Sequence, residues 1–112
     1  MGYGSVLSMG DVADITIERI LAKLREVAPA LRAEGVIRLA VFGSRARGDA
    51  RPNSDLDVLV DTGSRETSPP FDLYKVLRII ESATGLRAQI SMRDLLKPRM
   101  VERIADDLVE VF

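Results

Sequence analysis

The sequence predicts an α/β fold: a small mixed sheet of at least three strands with helices packed mainly on one face. Two observations carry this. Short apolar runs of strand length alternate with longer segments of helical periodicity after Gly35, and strands on either side of a helix are joined as parallel neighbours need to be. The chain has 112 residues, near the usual size of one compact core, so residues 1–112 are expected to form a single domain with 1–12 flexible.

The elements follow from local chemistry. Apolar residues at Ile17, Ile20, Leu21, Leu24, Val27, Ala28 and Leu31 mark one face of a first helix, which Pro29 should kink or break near Ala28. Gly35 ends it. Val36–Phe42 is too short for a helix and reads as a buried strand, and Leu56–Val60 as a second. Between them, residues 43–54 have the Gly, Arg, Pro and Asn composition of a structured loop with one helical turn. Ser68-Pro69 looks like an N-cap followed by a first-turn proline, opening a helix to about Thr84 that Gly85 stops. Arg87–Ser91 is expected to be a third strand. Pro98 opens a last helix with Val101, Ile104, Ala105, Leu108 and either Val111 or Phe112 turned inward.

Composition removes several chemistries. The chain contains no cysteine and no histidine, which excludes thiol nucleophiles, disulfides, Ser-His-Asp triads and His- or Cys-bound metal. A net charge of −1 provides no field for stable nucleic-acid binding or attraction to an anionic membrane. No apolar run approaches a membrane span, residues 1–10 lack the features of a signal peptide, and Val6 breaks a myristoylation motif. A cytoplasmic location is the expectation.

What remains is oxygen chemistry. Asp55 and Asp57 stand two apart on a predicted strand, so their carboxylates share a face and repel unless a divalent cation lies between them; oxygen ligands suit Mg²⁺ or Mn²⁺. The bland reading makes them cap residues at a solvated strand start. Upstream, Gly43-Ser44 turns the chain at the end of a strand, placing backbone donors and the Ser44 hydroxyl where they can cradle phosphate. Four arginines (Arg38, Arg45, Arg47, Arg51) against Asp49 give residues 38–51 a local charge of +3. Arg45 and Arg47 either grip a triphosphate or pair with Asp49 and Asp55 as a loop network. Phe42 and Phe71 are expected in the core, and Tyr74 and Arg78 on the surface.

Gly43-Ser44, ten residues, then Asp55-Leu56-Asp57 resembles the Gly-Ser-x10-Asp-x-Asp signature of the polymerase-beta-like nucleotidyltransferases, and the chain length resembles the minimal nucleotidyltransferases (MNT). The resemblance implies a catalytic core in which Asp55 and Asp57 hold the metal and act catalytically while Gly43, Ser44, Arg45 and Arg47 bind the nucleotide. It implies transfer of a nucleoside monophosphate, AMP above all, from ATP or another NTP to a hydroxyl. It also implies an antitoxin role toward a HEPN toxin, with that protein or a second copy of this chain completing the acceptor site. One departure stands out: a third carboxylate of the family falls at Gln89. Asp94 is the nearest acid downstream. The alternative function is therefore an impaired nucleotidyltransferase fold that neutralises a partner by contact.

Overall fold

The structure is a computed structural model that describes residues 15–63 and 71–112. Thr16 caps the first helix, α1 (Ile17–Glu26), by accepting the Arg19 N–H at 3.2 Å. The chain breaks at Val27 and continues as α2 (Ala28–Ala33), with Pro29 in its first turn. A proline there removes only a donor that has no intrahelical acceptor, so the expected kink becomes a clean junction of two helices. Strand β1 (Arg38–Phe42), the short helix α3 (Ser44–Arg47), strand β2 (Leu56–Asp61), helix α4 (Leu73–Thr84) and strand β3 (Ala88–Met92) follow. A 3₁₀ turn at Arg93–Leu95, helix α5 (Pro98–Ala105) and strand β4 (Val109–Glu110) complete the described chain.

The sheet order is β3-β2-β1-β4. β2 and β3 are parallel, with α4 as the crossover, while β1 is antiparallel to both β2 and β4. The mixed sheet is thus as expected, with one strand more than the three read from sequence. The correction concerns the C-terminus. The last helix stops at Ala105, which is exposed, and the chain returns as β4 along β1. Two residues of strand leave no room for a periodic signal, so this edge is defined only by its partner.

Ser68-Pro69 lie outside the described residues. The N-cap of α4 is Asp72, whose carboxylate accepts the Lys75 N–H at 3.2 Å.

Alternation along the strands divides the apolar residues between two faces. Leu39, Val41, Leu56, Val58 and Val60 meet Ile20, Leu24, Leu31, Val76 and Ile80 of α1, α2 and α4 in the main core. Ala40 and Leu59 meet Ile104 of α5 on the opposite face, with Phe42, Leu96 and Leu108 around them. That second cover is partial, and beyond it the face runs to Asp57 and Gln89, both at least partly open to solvent.

Leu24 is fully buried whereas Ile37 is 56% exposed. Leu24→Ala should therefore cost about 2–5 kcal/mol, and Ile37→Ala should stay within about 0.5 kcal/mol of the parent, read from urea midpoints at unchanged slope.

Candidate functional site

The site forms at the end of the sheet where β1 stops and β2 and β3 begin. Phe42 of β1 is the register partner of Asp57, and Asp57 is in turn the register partner of Gln89. The turn after β1 is held by Gly43, whose φ is +79°, a conformation that side-chain-bearing residues rarely adopt. A second constraint is steric: a Cβ at Gly43 would collide with Oδ2 of Asp57. The backbone of the turn thus lies directly on the carboxylate. α3 starts at Ser44, and its first N–H groups have no intrahelical acceptor.

Asp55 immediately precedes β2, and Asp57 is its second residue. Partial burial raises the Asp57 pKa, the negative charge of Asp55 raises it further, and Arg47 opposes both. The charge of Asp55 is thus felt at Asp57. Among the described residues no group of three or more His, Cys, Asp or Glu side chains could hold a metal. The donor set is two hard carboxylates sharing one face and repelling. It fits a magnesium or manganese ion that takes its remaining ligands from phosphate and water.

The two nearby arginines differ from the sequence expectation and from each other. Arg45 is only 3% exposed. Its guanidinium donates to the carbonyls of Ser54 (2.9 Å), Arg51 (3.3 Å) and Pro52 (3.5 Å). Placing it on a phosphate is thereby corrected: a buried guanidinium must keep acceptors, and these are supplied by the loop between α3 and β2. Among the described residues Arg45 also pairs with no acid.

Arg47 is exposed and forms ion pairs with Asp49 (3.1 Å) and Asp107 (2.8 Å), which raise its pKa above the usual arginine range. Asp107, behind α5, was not legible as a partner because 60 residues separate it from Arg47.

Gln89 stands where the third carboxylate of the resembled family is expected, beside Asp57 across a parallel ladder. Asp94 lies further along the chain. β3 carries the chain about 10 Å from Gln89 to Met92, and Asp94 follows in the 3₁₀ turn.

Phe42 and Phe71 pack against the cores, and Tyr74 is 75% exposed, all as expected. A cavity of about 560 Å³ on the helical side is lined, among the described residues, by Val27, Lys75, Arg78, Ile79, Ser82 and Ala83, none of them a carboxylate. A smaller cleft of about 250 Å³ includes Asp55 itself.

The nucleotidyltransferase domain family model matches residues 21–111, and the chain belongs to that family. It is similar to the protein adenylyltransferase MntA of Thermococcus cleftensis, 32% identical over 101 residues that cover 89% of this chain and 100% of the relative. Two solved structures share the fold. One is a toxin–antitoxin with AMP-PNP (TM-score 0.62, 15% identity, 80% of this chain and 72% of that one). The other is a tri-AMPylated Shewanella oneidensis HEPN toxin in complex with MNT antitoxin (TM-score 0.57, 11% identity, 83% and 71%). Among the described residues, no helix is long and apolar enough to cross a membrane.

Because its folded pKa is raised, Asp57 favours the folded state below pH 3.8 and progressively loses that contribution as pH rises through the raised value. Asp57→Asn should accordingly have the higher melting temperature at pH 7, with the gap closing as pH falls toward 4 in metal-free buffer. Arg45→Ala should lower stability by about 1–3 kcal/mol through its orphaned carbonyl partners, measured by denaturant titration, whereas Arg47→Ala should change it far less.

Proposed function

We propose that this protein is a metal-dependent nucleotidyltransferase that moves AMP from ATP to a hydroxyl on a partner protein, in the manner of an MNT antitoxin acting on a HEPN toxin. The observation that carries this is the contact of the Gly43 turn with Asp57. It supports reading the Gly43 turn as a phosphate-binding element set beside a two-carboxylate cation site, the two halves that a metal-bound triphosphate requires. The relative named a protein adenylyltransferase and the AMPylated toxin complex support the choice of AMP and of a protein acceptor.

In this reading Asp55 and Asp57 hold the cation, which supplies charge neutralisation at the α-phosphate when bound. Gly43 and Ser44 seat the other phosphates through backbone N–H groups and the hydroxyl, and Arg47, freed from Asp49 or Asp107, is the cation within reach. Arg45 keeps the loop in place. The acceptor oxygen forms a bond to the α-phosphorus, the bond to the β-phosphate oxygen breaks, and pyrophosphate leaves. The hydroxyl proton passes to solvent water, because Gln89 cannot accept it: a neutral amide has no basic oxygen at pH 7.

That register position favours a second reading alongside the first: nucleotide binding with slow transfer, the partner being held chiefly by contact. Two carboxylates with phosphate oxygens and water still satisfy an octahedral ion.

Incubation with labelled ATP, Mg²⁺ and a co-expressed neighbouring protein, read by mass for a nucleotide adduct, tests the proposal. Asp55→Asn with Asp57→Asn should abolish Mg²⁺-dependent ATP binding while the fold remains. Gln89→Asp should raise the adduct rate by about 10²-fold or more, the usual scale for a positioned base. Unchanged nucleotide binding in the double variant would overturn the site.

A further inference from the structure

The cleft of about 250 Å³ beside Asp55 is lined by Pro52, Asn53, Ser54, Asp55, Gly85, Leu86 and Arg87. Leu56 is the register partner of Ala88, and the Leu56 N–H donates to the Arg87 carbonyl at 2.8 Å, so Asp55 and Arg87 enter their strands side by side. Arg38, Arg45, Arg47 and Arg93 have their guanidinium groups committed, to Glu110, to loop carbonyls, to Asp49 and Asp107, and to Asp61 respectively. Arg87 is exposed, and among the described residues its guanidinium has no hydrogen-bond or ion-pair partner. An unspent cation therefore lines the cleft that includes Asp55, the first carboxylate of the pair.

The side of the pair on which it lies defines its ligand. The sheet places the Gly43-Ser44 turn at the end of β1, the carboxylates on β2, and Gln89 and Arg87 at β3. Adjacent strands are about 4.8 Å apart, so the phosphate turn and the β3 groups lie about 10 Å apart with the carboxylates between them. Displacement at the α-phosphorus brings the incoming oxygen from the side opposite the departing pyrophosphate. With pyrophosphate over β1, the acceptor enters over β3.

We infer that Arg87 and its cleft form an acceptor subsite that binds a carboxylate of the partner protein next to the hydroxyl that is modified. This rests on the nucleotidyl-transfer reading above. A guanidinium matches a carboxylate with two parallel hydrogen bonds and so sets orientation as well as charge. It also counters the negative field of Asp55 and Asp57, which would otherwise repel an acidic acceptor. Arg87 is a positioning residue: it fixes where the acceptor oxygen sits and takes no part in bond exchange.

The test compares wild type, Arg87→Glu and Arg87→Lys in two assays, with a non-hydrolysable ATP analogue plus Mg²⁺ for nucleotide affinity and the co-expressed neighbouring protein as acceptor. Nucleotide Kd should change less than twofold in Arg87→Glu. KM for the acceptor should rise at least tenfold, Arg87→Lys should recover most of the loss, and a Glu→Lys or Asp→Lys change beside the modified residue should rescue Arg87→Glu. An equal loss of nucleotide affinity, or an unchanged KM, overturns the subsite.

If the wild type binds nucleotide without forming an adduct, partner affinity measured by titration replaces KM. A tenfold loss in Arg87→Glu is then the supporting result and an unchanged affinity the refuting one. A wild type that neither modifies nor binds the partner removes the transfer reading itself, and the subsite with it.

Discussion

The buried guanidinium of Arg45 is the constraint on which the site depends. The connection between β1 and β2 runs from Gly43 to Asp55 and contains only one short helix, α3, so it has little apolar material with which to hold a shape. Arg45 replaces a core: it reaches from α3 to the carbonyls of Arg51, Pro52 and Ser54. The loop also closes on itself at Ser54, whose hydroxyl accepts the Arg51 N–H at 2.8 Å. Together these bonds decide where the chain re-enters the sheet and hence where Asp55 stands relative to the Gly43 turn. Ala46, packed against the main core from the same helix, anchors the other side of the strut.

Around this loop the molecule places its polar chemistry where the sheet is covered least. The helical face is closed by α1, α2 and α4, and the β1 and β2 residues on it are fully buried. The other face carries α5 only over Ala40 and Leu59. Asp57, Gln89 and Asp61 share that face by alternation, and the Arg93–Asp61 pair at 2.9 Å occupies its far end. Burial sufficient to raise the pKa of Asp57, with access left for a ligand, follows from this half-covered geometry. The Arg47–Asp107 pair links the two margins of the face, since one partner precedes β2 and the other follows α5.

In the proposed reading, this chain keeps the residues of the phosphate turn and the first two acids and departs at the third, Gln89. The amide of Gln89 leaves the register intact and removes only its charge and basicity. A protein holding a nucleotide under those conditions retains recognition more readily than turnover, because recognition draws on several groups and proton removal on one. An antitoxin that works by contact can tolerate that loss, whereas one that works by modification must find the missing basicity elsewhere.

Local signals in the sequence were enough for the mixed α/β sheet, the break near Ala28 and the crossover helix, and they singled out the stretch in which the Gly43 turn meets Asp57. Each depends on periodicity or on spacing within a dozen residues, which the backbone converts directly into direction. The sequence also showed that residue 89 is an amide. Tertiary structure decided the rest, where the controlling partner is remote or the element is too short to carry a pattern. β4 exists only because β1 offers it an edge, and Asp107 reaches Arg47 only after α5 folds back. Arg45 and Arg47, two residues apart in one basic stretch, are told apart by burial alone. Arg87 gains meaning from the parallel register that sets it beside Asp55, a relation between segments more than thirty residues apart that pairing of the strands creates.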